Sequence, residues 1–524
     1  MAEFDDVVVG SGVNSLACAA LLAKGGRRVC VLERNDRFGG CIRTEELTEP
    51  GFLHDTLSAW HPLWVGGAAH AQLGDDLAQR GLEYLNTDLP TATAFPDGDA
   101  AFLLRDAEGN ARELGDEWPG VLERFFPNAD LAFGVLGTEL WSRSGLGFGA
   151  KALRRLGRGG TAAFAGELLQ SSRDWLEQTF ASPRAHGVLA PWVLHTGLGP
   201  DAATSGFKTQ VIAVAVQEGG MPIPRGGGVK LAEALVRLIR DHGGTCETGV
   251  DVERVVVQSG RATAVRTAGD DSVGAARAVV ASVTPTQLHE RLLADAEVAA
   301  QVREGARRFR YGRAEMQIHY ALSEPARWDG DERLNRTAIV HVTAGLDGVS
   351  KAVNEAERGE LPEEATIVVG QPLTIDPSRA PEGKGLLWIQ LQELPRRHDW
   401  NDDARERYAD TIQARLAKHI PNLEASIVKR VALGPHDLER LNVNLVGGDP
   451  YGGALSLDQN LLWRPFPQSP GHRTPVERLW HIGASTWPGP GLGGGSGTLV
   501  AQELLKPPAA QRVAARLRRW QTTR

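Results

Sequence analysis

The chain has 524 residues, with 57 Lys and Arg against 65 Asp and Glu, giving a formal net charge of −8 at pH 7; that balance argues against a nucleic-acid partner. No run approaches the ~18 apolar residues of a membrane span, and the acidic start Met1-Ala2-Glu3-Phe4-Asp5-Asp6 lacks the basic region of a signal peptide, so the expected residence is cytoplasmic. A chain of this length outgrows a single core and is expected to divide into at least two domains.

Val7, Val8 and Val9 read as a buried strand running into Gly10-Ser11-Gly12, where two glycines let the backbone turn tightly and approach a pyrophosphate. A helix from about Val13 to Lys24 turns its free amides toward the phosphates, and a second strand, Arg28 to Leu32, delivers Glu33 to a ribose, 21 residues beyond Gly12. Ser15 stands where a third glycine would ease helix against strand, and is small enough to be tolerated. Strand, turn, helix, strand and acid in this order indicate an adenine dinucleotide site. The Glu33 carboxylate accepts ribose hydroxyls and would repel a 2′-phosphate, which leaves FAD and NAD and disfavours NADP. Cys18, Cys30, Cys41 and Cys246 have no clustered metal spacing and read as small buried thiols.

The next segment, Arg34 to Thr44, has adjacent glycines at Gly39 and Gly40 for another close backbone approach, and Arg43 to meet a phosphate or orient a carboxylate. With these residues the chain resembles the flavoprotein superfamily of amine oxidases and phytoene desaturases, whose dinucleotide motif is followed by a segment of this kind. The resemblance implies FAD as cofactor, with Gly10, Gly12, Ser15, Glu33, Arg34, Gly39, Gly40 and Arg43 beside it. His54, Asp55 and His61 follow where the family chain runs toward flavin and substrate. Asp55 or His61 can take a proton there, and each can equally stabilise a loop.

His70 to Arg80 has helical composition, Ala101 to Arg105 reads as a strand, and Leu114 to Leu198 as largely helical, interrupted at Gly145 to Gly149 and at Gly157 to Gly160. In the family such helices cap the substrate site. The apolar stretch Gly206 to Gln217 leads to the glycine-rich turn before a helix from Val229 to Asp241, where Arg225 either orients substrate or flavin or forms a structural salt bridge. Strands are expected at Gly244 to Thr248, Asp251 to Gln258, Ala262 to Thr267 and Ser272 to Ala281. The resemblance places the adenine against the backbone of Val252. Met316 to Leu322, Thr366 to Gly370 and Leu386 to Leu394 are further strand candidates, and Asp403 to His419 a helix. Such strands can roof the flavin, with Gln317, His319, Gln390 and Gln392 as a polar cavity face or as ordinary sheet-surface residues.

Near the C-terminus a short strand, Leu479 to Ile482, precedes the glycine-rich loop Gly483 to Gly497 and an apolar helix through Leu505. In the family this is the second FAD signature, which puts Gly483, Gly491, Gly493 and Gly494 against the cofactor, while Trp487 shapes an apolar substrate channel. Arg512, Arg516, Arg518, Arg519 and Arg524 make the tail basic, a solvated terminal helix or a peripheral contact with an anionic membrane surface.

The closest resemblance, over almost the whole chain, is to the phytoene dehydrogenase-related branch, on Asn14 after the first glycines, His54-Asp55 and the run Gly483-Ala484-Ser485-Thr486-Trp487-Pro488-Gly489-Pro490-Gly491. It implies an α/β and α+β fold: a Rossmann-like FAD-binding domain assembled from 1–100, 219–285 and 446–506, and a discontinuous substrate domain with cap helices (101–218) and a mixed sheet (286–445), followed by a tail from 507. The expected activity is that of an FAD-dependent oxidoreductase moving hydride from a hydrophobic organic substrate to flavin N5, with oxygen, a quinone or another acceptor restoring the cofactor. The catalytic candidates are Asp55, His61 and Trp487, and the substrate contacts Arg225 and Trp487. An amine oxidase, a redox-neutral isomerase using reduced FAD, and a non-catalytic flavin-binding interaction protein are the alternatives. Homo-oligomer formation is left open.

Overall fold

The computed structural model describes residues 3–507; the expected basic tail beyond them lies outside the described residues. Strand Glu3–Val9 ends in three valines buried on both faces, the pattern of a strand inside a parallel sheet. It pairs in parallel with Val29–Leu32 on one side and Ser272–Ser282 on the other. Thr245–Glu247 adds beyond the first of these and Leu479–Ile482 beyond the second. The five parallel strands thus come from both ends and the middle of the chain. Val252–Gln258 and Arg261–Thr267 extend the sheet as an antiparallel meander into Ser272–Ser282. Helices Val13–Lys24, Val229–Asp241 and Gly495–Leu505 share one core against it through Leu16, Leu235, Leu238 and Val500.

A second seven-stranded sheet forms a roof, in the order Ile427–Leu433, Ala314–Leu322, Gly385–Leu394, Ile367–Gly370, Ile339–Val342, Thr91–Ala94 and Ala100–Leu103. All its pairs are antiparallel except Ile339–Val342 with Thr91–Ala94. Side chains alternate across it. Met316, Ile318, Tyr320, Leu387, Ile389 and Leu391 pack outward with Tyr408 and Ile412 of helix Asp402–Leu416. Glu315, Gln317, His319, Trp388, Gln390 and Gln392 therefore face inward, toward the cofactor domain.

Three roof strands carry no clear sequence signal. Thr91–Ala94 reads TATA, with no apolar run, and its place in the roof moves the crossover out of the cofactor domain to before residue 91 rather than at 100. Ile339–Val342 and Ile427–Leu433 are likewise strands whose pairing partners lie far along the chain, Ile339–Val342 buried throughout and Ile427–Leu433 on the edge. The cap is helical as expected, but Gly145 to Gly149 do not interrupt it. Helix Arg143–Leu169 runs through them and breaks at Gly157, where φ is 69°. The apolar stretch after Gly206 is helix Ser205–Gly219. No helix among the described residues is long and apolar enough to cross a membrane.

Candidate functional site

The turn after the first strand is built around Gly10, with φ 89°, and Gly12, which starts helix Val13–Lys24 with no side-chain cap. Its first amides are thus uncommitted, a ready anion site. An added Cβ on Gly12 would meet nothing within 4 Å, so this backbone borders open space. Gly39 and Gly40 close the other side. Both have positive φ (119° and 60°), and a Cβ on Gly40 would come within 3.0 Å of the Gly12 Cα. Arg43 leans on Glu45 at 3.6 Å, and its Nε is buried without a partner. An open glycine cradle, free helix amides and a spare guanidinium donor fit the pyrophosphate of a dinucleotide.

Glu33 does more than await a ribose. Its Oε2 accepts from Ser11 N (2.9 Å) and Ser11 Oγ (2.7 Å), and its Oε1 from Asn35 N (2.9 Å). The carboxylate ties the glycine turn to the end of the second strand and keeps about one lone-pair position for a ribose hydroxyl. Ser15 is buried under the turn, its Oγ unpartnered. Arg34 lies at the surface, 3.8 Å from Asp251, and Val252 is buried at the start of its strand.

The C-terminal loop returns to this place. Gly483 (φ 113°), Gly491 (φ 130°) and Gly494 (φ 64°) hold conformations that favour glycine, and Gly494 starts helix Gly495–Leu505 without a side-chain cap; Gly493 lies against the Leu63 carbonyl. Ser496 Oγ accepts from Gly483 N (3.1 Å) and meets Thr486 Oγ1 (2.7 Å) and His472 Nε2 (3.1 Å). Two residues outside the predicted site join the chain ends. Gly497 N donates to Asn14 Oδ1 at 3.2 Å, and a Cβ on Gly497 would overlap the Asn14 carbonyl. Gly497 is one glycine among fifteen loop and helix positions, and only the crossing of two distant helices singles it out.

Three expected functional residues are committed elsewhere. Asp55 is buried in an ion pair, its Oδ2 accepting from Arg379 Nη1 at 2.8 Å and its Oδ1 from Gly228 N at 2.8 Å and Thr44 Oγ1 at 2.5 Å. Arg225, expected at substrate or flavin, is instead half-exposed and fork-bonded to Glu83 (2.7 and 3.0 Å); this is the structural salt bridge. Trp487 is buried, with Nε1 donating to Val135 O at 3.0 Å, so it fastens cap helix Ala129–Leu136 rather than standing open in a channel. Trp487→Phe is expected to retain flavin but lower stability by about 1–3 kcal/mol through the unpaired carbonyl. Thermal melting of the flavin-loaded variant measures it, and an unchanged midpoint removes the fastening role.

His61 is different. It is fully buried, its Nδ1 3.0 Å from Tyr84 Oη and its Nε2 without a partner. Burial holds its imidazole down at about 4, a neutral nitrogen at ordinary pH. The same cause holds His195, His289 and His319 at about 4, His481 at about 3 and His54 at about 2. Each stays neutral when folded and protonates in the unfolded chain below 6.5, so each contributes stability that is complete above 6.5 and lost as pH falls toward the folded value. The loss is ~1.4 kcal/mol per pH unit per group. Glu315 and Glu393, pushed by burial up to about 7 from 4.5, act in the opposite sense over that interval, but are fewer. The melting temperature is therefore expected to drop between about pH 7 and about pH 5; calorimetry showing a level or rising midpoint would contradict neutral buried imidazoles.

The inner face of the roof lies directly over the segment that carries His54 to Trp60. His319 Nε2 meets Thr56 O at 3.1 Å, Trp388 Nε1 donates to Leu57 O at 3.1 Å, and the Trp60 and Trp388 rings meet edge to face with centroids 5.2 Å apart. Gln317 and Gln390 stand opposite each other across the strand pair.

The chain matches the model of flavin containing amine oxidoreductases over residues 16–478. It is 24% identical to a component protein of the limonene dehydrogenase of Castellaniella defragrans, across 96% of this chain and 95% of that protein, and 26% identical to a zeta-carotene-forming phytoene desaturase of Myxococcus xanthus, across 93% and 90%. In fold it is similar to a putrescine oxidase solved with putrescine bound, with TM-score 0.59, 16% identity and coverage of 96% and 99%. The matched span runs from inside the helix behind Gly12 to the edge of the last cofactor-sheet strand and so takes in Gly39, Gly40 and Arg43 of the cradle together with cap and roof: the chain belongs to the flavin containing amine oxidoreductase family, and is an FAD-dependent oxidoreductase.

Proposed function

We propose that the protein oxidises a hydrophobic organic substrate held between the roof and the FAD cradle. The observation that carries this reading is the apolar, aromatic packing under the roof, where Trp60 and Trp388 join Leu103, Ile339 and Val368 in one buried cluster. Two relatives matching the chain nearly end to end support it, since their names give limonene and phytoene as what they act on. FAD supplies the hydride acceptor when bound, near the cradle of Gly10, Gly12, Gly39, Gly40 and Arg43 and under the loop of Gly483 to Gly494. The protein's part is to hold a C–H bond in place, exclude water and dispose of a proton. For a desaturation, His61 Nε2, buried without a partner and with Tyr84 fixing the ring, is the nitrogen assigned to that proton, and the burial that holds its imidazole at about 4 makes it a weak base that passes the proton on rather than keeps it. Asp55 instead holds Thr44 and Gly228 in position.

Mixing the flavin-loaded enzyme anaerobically with limonene-sized hydrocarbons, alcohols and amines tests this. Substrate-dependent bleaching of the flavin band near ~450 nm is the expected result. A flavin that dithionite reduces but no such compound bleaches would defeat the reading, and turnover that requires prereduced FAD without net electron transfer would replace it with isomerisation. His61→Gln is expected to slow bleaching by on the order of 100-fold.

A further inference from the structure

The inward face of the roof is not apolar throughout. Glu315 sits on it, nearly inaccessible, with Oε1 accepting from Gln390 Nε2 at 2.6 Å and from Gln317 Nε2. Those two bonds settle how the amides point, and they leave Gln317 Oε1 buried with no donor. Gln392 Oε1, also inward, is buried and unpaired as well. The charge of Glu315 is felt by Cys41, in the glycine segment of the cradle, and by Tyr451, whose hydroxyl reaches the cap at Leu194 O (2.8 Å). Glu315 stands on roof strand Ala314–Leu322, with the roof amides of Gln317 and Gln390 as its hydrogen-bond partners.

The Glu315 carboxyl and the Gln317 and Gln392 amide oxygens thus share one buried roof face, where the two amide oxygens have no donor, although the Gln392 side chain also reaches Tyr451. Leaving an acceptor unsatisfied in the interior is costly, and apolar residues would serve a purely structural sheet face better. Burial raises the Glu315 carboxyl to about 7 even with two amide donors on it; above that pH it is an acceptor only, the state in which a further donor is wanted. We infer that Glu315, Gln317 and Gln392 receive a hydrogen-bond-donating group of the substrate, a hydroxyl or an amine. This rests on the reading that the substrate lies under the roof, and narrows it from hydrophobic compounds in general to those with one polar head.

The test uses the oxidised, flavin-loaded enzyme and three ligands on one skeleton: limonene, the corresponding primary alcohol and the corresponding primary amine. Dissociation constants come from perturbation of the flavin spectrum and from calorimetry, with no turnover required. The alcohol or the amine is expected to bind about 10-fold or more tightly than limonene, the range of a hydrogen bond to a charged group. Whichever is tighter names the head group. Glu315→Gln and, independently, Gln317→Leu should erase most of that advantage while leaving flavin content as it was. Should Glu315→Gln not fold, Gln392→Leu takes its place in the comparison. The inference is overturned if neither polar ligand binds more tightly than limonene, or if folded variants keep the preference. Flavin that no ligand bleaches, with the binding preference intact, would defeat the oxidation reading and leave this receptor standing.

Discussion

Arg379→Met is expected to lower stability by about 3–5 kcal/mol and to release FAD. Arg379 is fully buried, with Nη1 on Asp55 (2.8 Å), Nε on Asp376 (3.0 Å) and Nη2 donating to Pro224 O (3.1 Å). Removing it strands two buried carboxylates, a far larger loss than the net worth of the pairs. The damage also reaches the cofactor, because Asp55 holds Thr44 and Gly228 while Asp376 holds Gly226 at 2.7 Å. Arg225→Ala is the matched control: its pair with Glu83 is half-exposed on both sides, and a change within about 0.5 kcal/mol is expected. Chemical denaturation of both variants, with flavin content read from absorbance, makes the comparison. Equal effects would mean that the buried triad does not join cradle to roof.

The second large effect separates two glycines that look alike in the sequence. At Gly12 a side chain enters open space and φ is −63°, so Gly12→Val is expected to fold normally as apoprotein yet purify without flavin, its methyls occupying the phosphate position. At Gly497 a side chain overlaps the Asn14 carbonyl. Gly497→Val should therefore force apart helices Val13–Lys24 and Gly495–Leu505, losing stability by about 1–3 kcal/mol or more along with the cofactor. Melting curves with and without added FAD distinguish them. A Gly12→Val protein that retains flavin would move the pyrophosphate away from this turn.

Acid sensitivity from the buried imidazoles bears on the same architecture. His54, His61 and His319 all lie at the junction of cradle and roof, so acid is expected to open that junction and loosen FAD before the parallel sheet melts.

The cofactor half of the protein is legible because its chemistry is local in sequence. A valine strand, a glycine turn, an alanine-rich helix and an acid each follow from neighbours a few residues away, and so do the glycines after Ile482. The roof strands from Ala314, Ile367 and Gly385 are legible for the same reason, through alternation and β-branched content. What local pattern cannot carry is which distant groups meet. Asp55 reads as a free carboxylate until Arg379, 324 positions later, closes on it; Trp487 reads as a channel wall until Val135 takes its indole N–H. Thr91–Ala94 forms a hairpin with Ala100–Leu103, and joins the roof because Ile339–Val342 offers it an edge. A buried charge or polar group takes its meaning from its partner, since desolvation makes the unpaired form costly, and partners are chosen by the fold. The sequence by itself determined the dinucleotide turn and the fold class and, through its family resemblance, the cofactor type; the tertiary structure alone decided which polar residues are spent on holding the halves together, Asp55 and Arg379 among them.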